Sequence, residues 1–141
     1  MAGVLKSRTL TISIECHPRT MYEFVSNLEN LPAWAKAFCR SIKRSGGEWV
    51  VETPQGSVKI RFVKKNEFGV LDHYVTVSPS VEVFVPMRVV PNGTGSEVLF
   101  TLFQQAEMSD EKYAEDIGLV EQDLNSLKDL LERQNAQAPS R

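Results

Sequence analysis

His73, in the segment "VLDHYVTV", is the residue whose type and position on a strand could support acid–base chemistry or contact with a ligand. By strand alternation it shares a face with Leu71, Val75 and Val77, and an apolar face of this kind turns toward a protein interior. An imidazole there is a candidate general acid or base, since its unperturbed pKa is about 6.5. It is also a candidate contact to a bound molecule, and a third interpretation is a histidine that is simply hydrogen-bonded within the core.

No second group with matching geometry accompanies this histidine. Asp72 and Tyr74 flank it and point to the opposite face, so a catalytic pair built from neighbours on the strand is not expected. Cys16 and His17 are adjacent at a strand end and diverge, and Cys39 has no partner at metal-ligand spacing. The sequence also has no glycine-rich phosphate loop between a strand and a helix. We therefore expect neither a metal nor a cofactor.

The composition is that of one globular domain. The 141 residues carry 16 basic and 18 acidic side chains, a net charge of −2, so no basic surface for nucleic acid or an anionic membrane is expected. No apolar run approaches the roughly 18 residues of a membrane span, and the N-terminal "MAGVLKSR" lacks the apolar core of a signal peptide. The two cysteines show no pairing pattern, which fits a reducing cytoplasm.

The first predicted elements are a strand and an interrupted helix. Residues 9–16, "TLTISIEC", alternate strictly between apolar and polar, which indicates a half-buried strand. Pro18 then suits a first helical turn. Leu31 is disfavoured in helical geometry because Pro32 follows it, so the chain is expected to bend at this point.

Regular turn signals divide the next part of the chain into short runs rich in Val, Ile, Phe and Trp. The strongest of these turns is Asn92-Gly93, and short loops favour antiparallel hairpins. Pro86 removes a ladder donor from its strand and indicates an edge, a bulge or a bend. Six further strands are predicted, at about residues 38–45, 47–53, 57–65, 70–78, 81–90 and 96–105.

The last predicted element is a long amphipathic helix, capped by Ser109 or Asp110 and continuing to about Arg133. Gly118 costs this helix about 1 kcal/mol relative to alanine, so the helix either approaches the sheet closely there or leaves space for a ligand. The predicted fold class is α+β: a seven-stranded curved antiparallel sheet wrapped around the long C-terminal helix, with two short helices after the first strand. Space between sheet and helix is the natural ligand site.

This layout and the segment "YEFVSNLENLPAWA" resemble the START-like, or SRPBCC, superfamily with its helix-grip fold. The residues that carry the resemblance are Tyr22, Phe24, Asn30 and Trp34. The superfamily implies that the two short helices border a cavity, with Trp34 turned back toward its rim. The alternative is that Trp34 and Phe38 merely fill the core where the chain reverses.

The resemblance leaves three functions open. The first is binding of a small hydrophobic ligand such as a lipid, quinone or polyketide. The second is an enzyme similar to polyketide cyclases and dehydratases, with His73 as its catalytic acid or base. The third is an interaction module like the co-chaperone branch of the superfamily. The candidate ligand-binding residues are Trp34, Phe38, Trp49, Ile60, Phe62, His73, Val75, Met87, Phe100, Ile117 and Gly118.

The remaining expectations concern boundaries and the outer surface. A single START-like domain is predicted over residues 8–134, between a flexible N-terminus, 1–7, and a disordered tail, 135–141. Alternation places Met87 inside and Arg88 outside, although a bulge at the neighbouring proline would bring Arg88 inward. A homodimer through an exposed sheet edge or through the outward face of Leu99 and Phe103 is left open.

Overall fold

A computed structural model describes residues 3–137 of the chain. Its order of elements is a strand, short helices, seven more strands and a long helix, as the sequence predicts apart from the number of strands. No helix among residues 3–137 is long and apolar enough to span a membrane. The elements are β1 (Ser7–Ile14), α1 (Pro18–Ser26), a 3₁₀ helix (Leu28–Asn30), α2 (Leu31–Trp34), β2 (Ser41–Ser45), β3 (Glu48–Thr53), β4 (Gly56–Phe62), β5 (His73–Ser78), β6 (Val81–Val85), β7 (Met87–Asn92), β8 (Gly95–Phe103) and α3 (Asp110–Gln137).

The strands form two antiparallel sheets, and the prediction of one seven-stranded sheet is wrong. A three-stranded sheet has the order β1-β8-β7, and a five-stranded sheet has the order β2-β3-β4-β5-β6. The predicted strand over 81–90 is in fact two strands, one in each sheet. The long C-terminal helix packs on the curved antiparallel surface chiefly at β1.

Pro86 is the physical reason for the split. It lies between β6, which pairs with β5, and β7, which pairs with β8. A proline has no N–H to give to a ladder, so a strand that continues through it loses its pairing at that point. The Pro86 carbonyl still accepts a hydrogen bond from the Thr101 N–H at 2.9 Å, which holds the corner against β8.

Next to Pro86 the two sheets are connected by hydrogen bonds between Asp72, just before β5, and the start of β7. The Asp72 carboxylate accepts hydrogen bonds from the Met87 N–H at 2.8 Å and from Nε and Nη2 of Arg88 at 3.1 and 3.0 Å. Gly69 has a φ of 71°, and a Cβ there would collide with the Val89 carbonyl, so only glycine allows this approach. Met87 is buried and Arg88 exposed, as alternation predicts.

The interruption of the first helix occurs earlier than predicted. Leu31 is helical, with φ −55° and ψ −45°, and the extended residue is Asn27, with φ −87° and ψ 104°. The Asn27 side chain accepts from the Glu29 N–H at 3.1 Å and so caps the next turn. Pro32 falls in the first turn of α2, where a missing N–H costs nothing. The expected bend at Leu31-Pro32 is therefore wrong.

The helix α3 packs mainly against β1 and α2. Its inner stripe is buried and includes Leu124, Leu127 and Leu131, which recur at helical spacing. The helix continues to Gln137, beyond the predicted end of the domain, while the rest of the predicted tail lies outside the described residues, as do residues 1–2. Residues 135–137 of the predicted tail belong to this helix, and the predicted domain boundaries stay a prediction.

Candidate functional site

His73 begins β5 and is almost fully buried, with 7% of its surface exposed. Its ring stacks on Phe62 with centroids 4.7 Å apart and planes 13° from parallel, and its edge meets Phe100 at 5.9 Å. Phe62 lies directly opposite it in the β4–β5 register. Phe100 belongs to β8, so this aromatic row connects the two sheets.

The hydrogen bonds of His73 fix its protonation. Nδ1 lies 2.9 Å from the Leu71 carbonyl, which can only accept, so Nδ1 carries the proton. Nε2 makes no hydrogen bond to residues 3–137, but it is not fully buried: the Trp34 indole N–H is the buried side-chain polar atom that lacks a partner there. Burial lowers the pKa of His73 to about 4, although the Leu71 carbonyl and the Asp72 charge oppose the shift. The imidazole is therefore neutral at physiological pH.

A cavity of about 370 Å³ adjoins this aromatic row. Three predicted ligand-binding residues, Trp49, Ile60 and Phe62, line it. The rest of its lining is mostly polar or charged: Ser26, Leu28, Gly47, Glu48, Lys59, Arg61, Thr76 and Glu82. A second cavity of about 340 Å³ shares Ser26, Leu28 and Trp49 with the first. No residue of α3 lines either of these cavities, which differs from the expected position between sheet and C-terminal helix. The helix packs instead against β1 and α2.

The inner face of the five-stranded sheet forms the apolar wall of this region. Trp49, Ile60 and Val75 lie side by side in the strand register. Ile60 is buried, but Trp49, Phe62 and Val75 are only half-buried. Large apolar side chains that keep part of their surface uncovered on a concave face are typical of a ligand-binding wall.

The charged residues that line the two cavities, called the rim here, are paired with one another so that positive and negative charges are equal in number. Three ion pairs link residues of α1, β3, β4, β6 and the loop after β4, with N–O distances between 3.0 and 3.4 Å. Each pair is exposed, so it contributes little to stability. The rim therefore presents no uncompensated charge to an incoming molecule. The pairs are Glu48–Lys59, Arg61–Glu82 and Glu23–Lys65.

A buried carboxylate fixes the loop that carries Phe38. Asp123 of α3 accepts hydrogen bonds from the N–H groups of Ala37 at 2.8 Å and Phe38 at 3.2 Å. Burial raises the pKa of Asp123, and these two hydrogen bonds oppose that shift. Burial, together with the Asp123 charge, raises the pKa of the Cys39 thiol to about 11. Cys39 is therefore an unreactive thiol at neutral pH.

The other eight predicted ligand-binding residues lie outside the lining of both cavities: Phe38, His73, Val75, Phe100, Trp34, Met87, Ile117 and Gly118. Trp34, Met87 and Ile117 are buried in the core cluster. The Trp34 indole N–H is buried and has no acceptor among residues 3–137. Gly118 is exposed, and a Cβ there would meet no atom within 4 Å, so neither close approach to the sheet nor an inward-facing gap accounts for this glycine.

Sequence reasoning missed three residues of this region, two that line the cavities and one that holds the loop with Phe38. Ser26 and Leu28 line both cavities, but the interrupted helix gave no sign of which residues would face the sheet. Asp123 was missed as well, although it stands three residues after Val120 on the margin of the apolar stripe of α3. A carboxylate at such a position is a usable signal, since a buried charge requires hydrogen-bond partners. Within residues 3–137 no cluster of His, Cys, Asp or Glu has the geometry to hold a metal.

No protein-family model matches the chain, and no curated protein matches it in sequence. Solved structures do match. Protein XoxI from Bacillus cereus is 18% identical with a TM-score of 0.73, over 90% of this chain and 96% of that one. The Aha1 dimer from Colwellia psychrerythraea is 17% identical with a TM-score of 0.72, over 91% of this chain and 97% of that one.

A third match is Ara h 8.0201, 12% identical with a TM-score of 0.65, over 91% of this chain and 98% of that one. Identities this low establish the fold and no activity. The chain has the START-like, or SRPBCC, helix-grip fold, and the resemblance seen in the sequence is confirmed at that level.

Proposed function

We propose that this chain binds a small hydrophobic ligand, of the lipid, quinone or polyketide class, against the inner face of the five-stranded sheet. The observation that carries the proposal is the apolar wall of Trp49, Ile60 and Phe62 at a cavity of about 370 Å³. This volume lies in the range of small-molecule sites, about 300–1,000 Å³. Covering the half-exposed aromatic surface with a ligand would supply about 25 cal/mol for each Å² removed from water.

The balanced rim supports an uncharged ligand. Each rim cation already has a carboxylate partner within 3.4 Å. An anionic ligand would meet three carboxylates as well as three cations, so it would gain little from the rim. Apolar contact along the wall is then the main source of affinity, and His73 supports Phe62 from behind by stacking on its ring.

The geometry supports binding better than acid–base catalysis. A general acid or base works best when its pKa is near the working pH. Burial lowers the pKa of His73 to about 4, so the imidazole is a poor acid at neutral pH and a weak base. Its hydrogen-bond partner is a backbone carbonyl, and its neighbours Phe62 and Phe100 are apolar. The cyclase-like alternative therefore gains no support from the surroundings of its one candidate residue.

Location and assembly belong to the proposal as well. Cys16 and Cys39 are both buried and unpaired, which supports a reducing cytoplasm. A homodimer stays a prediction: the Colwellia match is described as a dimer, and Leu99 and Phe103 lie half-buried on β8. Light scattering of the purified chain at several concentrations would measure its mass in solution.

Native mass spectrometry of the protein purified from its own host tests the proposal. We expect a bound apolar molecule in stoichiometric amount, released on denaturation. In Ser26→Trp the new indole fills the space between α1 and the sheet, so the ligand should be lost. Thr20→Trp is the matched control, because Thr20 is exposed on the same helix and lines neither cavity.

Two results would contradict the proposal. One is an empty wild-type protein that also shows no thermal shift with lipids, quinones or aromatic polyketides. The other is equal ligand retention by the Ser26→Trp and Thr20→Trp variants, which would locate the ligand elsewhere.

A further inference from the structure

The two cavities adjoin each other. Ser26, Leu28 and Trp49 line both of them, so a molecule that fills one cavity reaches the other along these three side chains. From Trp49 the cavity of about 370 Å³ continues to the apolar side chains of Ile60 and Phe62. The cavity of about 340 Å³ continues instead to polar residues of α1, of the turn after it and of the loop after β4. These polar residues are Glu23, Asn27 and Lys65.

The polar cavity offers more hydrogen-bond donors than acceptors. Oδ1 of Asn27 accepts from the Glu29 N–H at 3.1 Å, which fixes the orientation of the amide, and no acceptor among residues 3–137 takes the hydrogens of its Nδ2. Lys65 donates to Oε1 of Glu23 at 3.0 Å and has two further ammonium hydrogens. The Glu23 carboxylate is also paired with Arg19, at 3.8 Å. A ligand group that accepts hydrogen bonds therefore suits this end.

The other cations of the larger cavity do not provide such donors to a molecule on the apolar wall. Lys59 and Arg61 alternate with Ile60 and Phe62 along β4, so their side chains leave the strand on its opposite face. Only the end of the site next to α1 then combines polar groups with direct continuity to the wall.

We infer that the two cavities form one elongated site for a neutral amphiphile, whose apolar body lies on Trp49, Ile60 and Phe62 and whose carbonyl oxygen accepts hydrogen bonds from Asn27 and Lys65. This inference rests on the proposed function and narrows its ligand classes to molecules with a carbonyl group, such as quinones and polyketides. A hydrocarbon would cover these donors without supplying an acceptor, and a site with hydrogen-bonding groups discriminates against such an analogue.

The neutral charge of the ligand follows from Glu23. A carboxylate could accept from the same donors, but it would lie beside the Glu23 carboxylate in the same cavity. It would also lose hydration on entering the site. A ketone or quinone oxygen meets the same donors without either cost.

Titration with two matched probes tests the inference: 2-acetylnaphthalene carries a carbonyl, and 2-isopropylnaphthalene has nearly the same shape without it. Lys65→Met removes the ammonium, and Asn27→Asp removes the amide donors but keeps an acceptor for the Glu29 N–H. Each variant should weaken the binding of 2-acetylnaphthalene by about 3- to 10-fold, the usual contribution of one hydrogen bond, and leave that of 2-isopropylnaphthalene unchanged. Lys64→Met is the matched control, because Lys64 is exposed on the same loop and lines neither cavity.

Nitrogen-15 NMR of the side-chain amides provides a second readout that needs no variant. Saturation with 2-acetylnaphthalene should move the Nδ2 resonance of Asn27 further than saturation with 2-isopropylnaphthalene does. Nδ2 of Asn66 donates to the carbonyls of Lys64 and Val70 and lines neither cavity, so its resonance serves as an internal reference.

The outcomes separate the two proposals. Equal weakening of both probes by the two variants, undiminished binding of 2-acetylnaphthalene, or equal shifts of the Asn27 resonance with both probes would overturn the carbonyl inference and leave the binding function standing. Tighter binding of 2-naphthoate than of 2-acetylnaphthalene would overturn it as well, since the ligand would then be an anion. Absence of saturable binding by all three probes would count against the binding function itself.

Discussion

The two sheets have nearly the same residue types on their inner faces but differ in how completely those faces are covered. In the three-stranded sheet Leu10, Ile14 and Val98 are buried beneath α3 and α1. In the five-stranded sheet Val51 and Ile60 are buried as well, whereas Val75 is half-buried and Val77, at a β-bulge, is 49% exposed. Both sheets therefore contribute to the core and both keep half-buried apolar residues, among them Ile12, Phe100 and Leu102 in the three-stranded sheet. The inner residues that line a cavity, Trp49, Ile60 and Phe62, belong to the five-stranded sheet.

The comparison shows that apolar residue types alone do not identify a ligand-binding surface. Alternation gives the same inward pattern to both sheets, and what separates them is the position of the helices. Since α3 packs mainly on β1 and α2, it covers the three-stranded sheet and leaves the five-stranded one partly free. The uncovered apolar area is where a ligand would gain binding energy.

The largest expected effect comes from truncating the covered sheet at Met87, which is 1% exposed. Met87→Ala should lower the free energy of unfolding by about 3–4 kcal/mol, through lost burial and the cavity left behind. Urea denaturation followed by circular dichroism measures the change. A loss below about 1 kcal/mol would mean that this sheet is not the tightly packed core described here.

The next effect is a pH dependence that comes from His73. Its folded-state pKa of about 4 lies below the unfolded value of about 6.5, so the unfolded chain takes up this proton first as the pH falls. The free energy of unfolding should therefore decrease between about pH 6.5 and pH 4, by up to about 3 kcal/mol.

The His73→Phe variant isolates this contribution, since other groups titrate in both proteins. The difference in unfolding free energy between wild type and variant, measured in urea at several pH values, should shrink or reverse as the pH falls through this window. A difference that does not change with pH would contradict the buried neutral imidazole.

The third prediction concerns the link between α3 and the loop before β2. Asp123→Ala removes the acceptor for the N–H groups of Ala37 and Phe38, so the free energy of unfolding should fall by about 2 kcal/mol. Asp123→Asn keeps one acceptor oxygen and removes the cost of burying a charge, so it should lose less. Equal losses in the two variants, again measured in urea, would show that the hydrogen bonds are not what matters.

The smallest expected effect comes from two valine-to-alanine substitutions, one in each sheet, whose costs are compared directly. Val98→Ala in the three-stranded sheet should cost about 2 kcal/mol, since its side chain is fully buried. Val75→Ala in the five-stranded sheet should cost about 1 kcal/mol or less, because half-exposed atoms lose less burial. Equal costs in urea denaturation would remove the distinction between the two sheets.

Much of this organisation could be predicted from local pattern. Alternation alone identified the inward side of His73 and the opposite orientations of Met87 and Arg88, and Pro86 signalled a break in its strand. The superfamily resemblance correctly indicated the helix-grip fold. These features are set by residues close to one another in the chain, so they can be predicted from the local sequence pattern.

The features that were missed depend on contacts between distant segments. The split into two sheets requires β6 and β7 to choose different partners, which residue pattern does not specify. Leu31 remained helical because the Asn27 cap had already placed the bend upstream. The position of α3, and with it the exposure of Gly118, follows from how the helix packs on β1 and α2.

The most direct test of the account is a chemical-shift perturbation titration of the wild-type protein with 2-naphthol. We predict saturable shifts centred on Trp49, Phe62 and Val75, with Leu10 and Val98 unmoved. That result would locate the ligand on the uncovered face of the five-stranded sheet. No saturable shift, or shifts centred on the three-stranded sheet, would contradict the account.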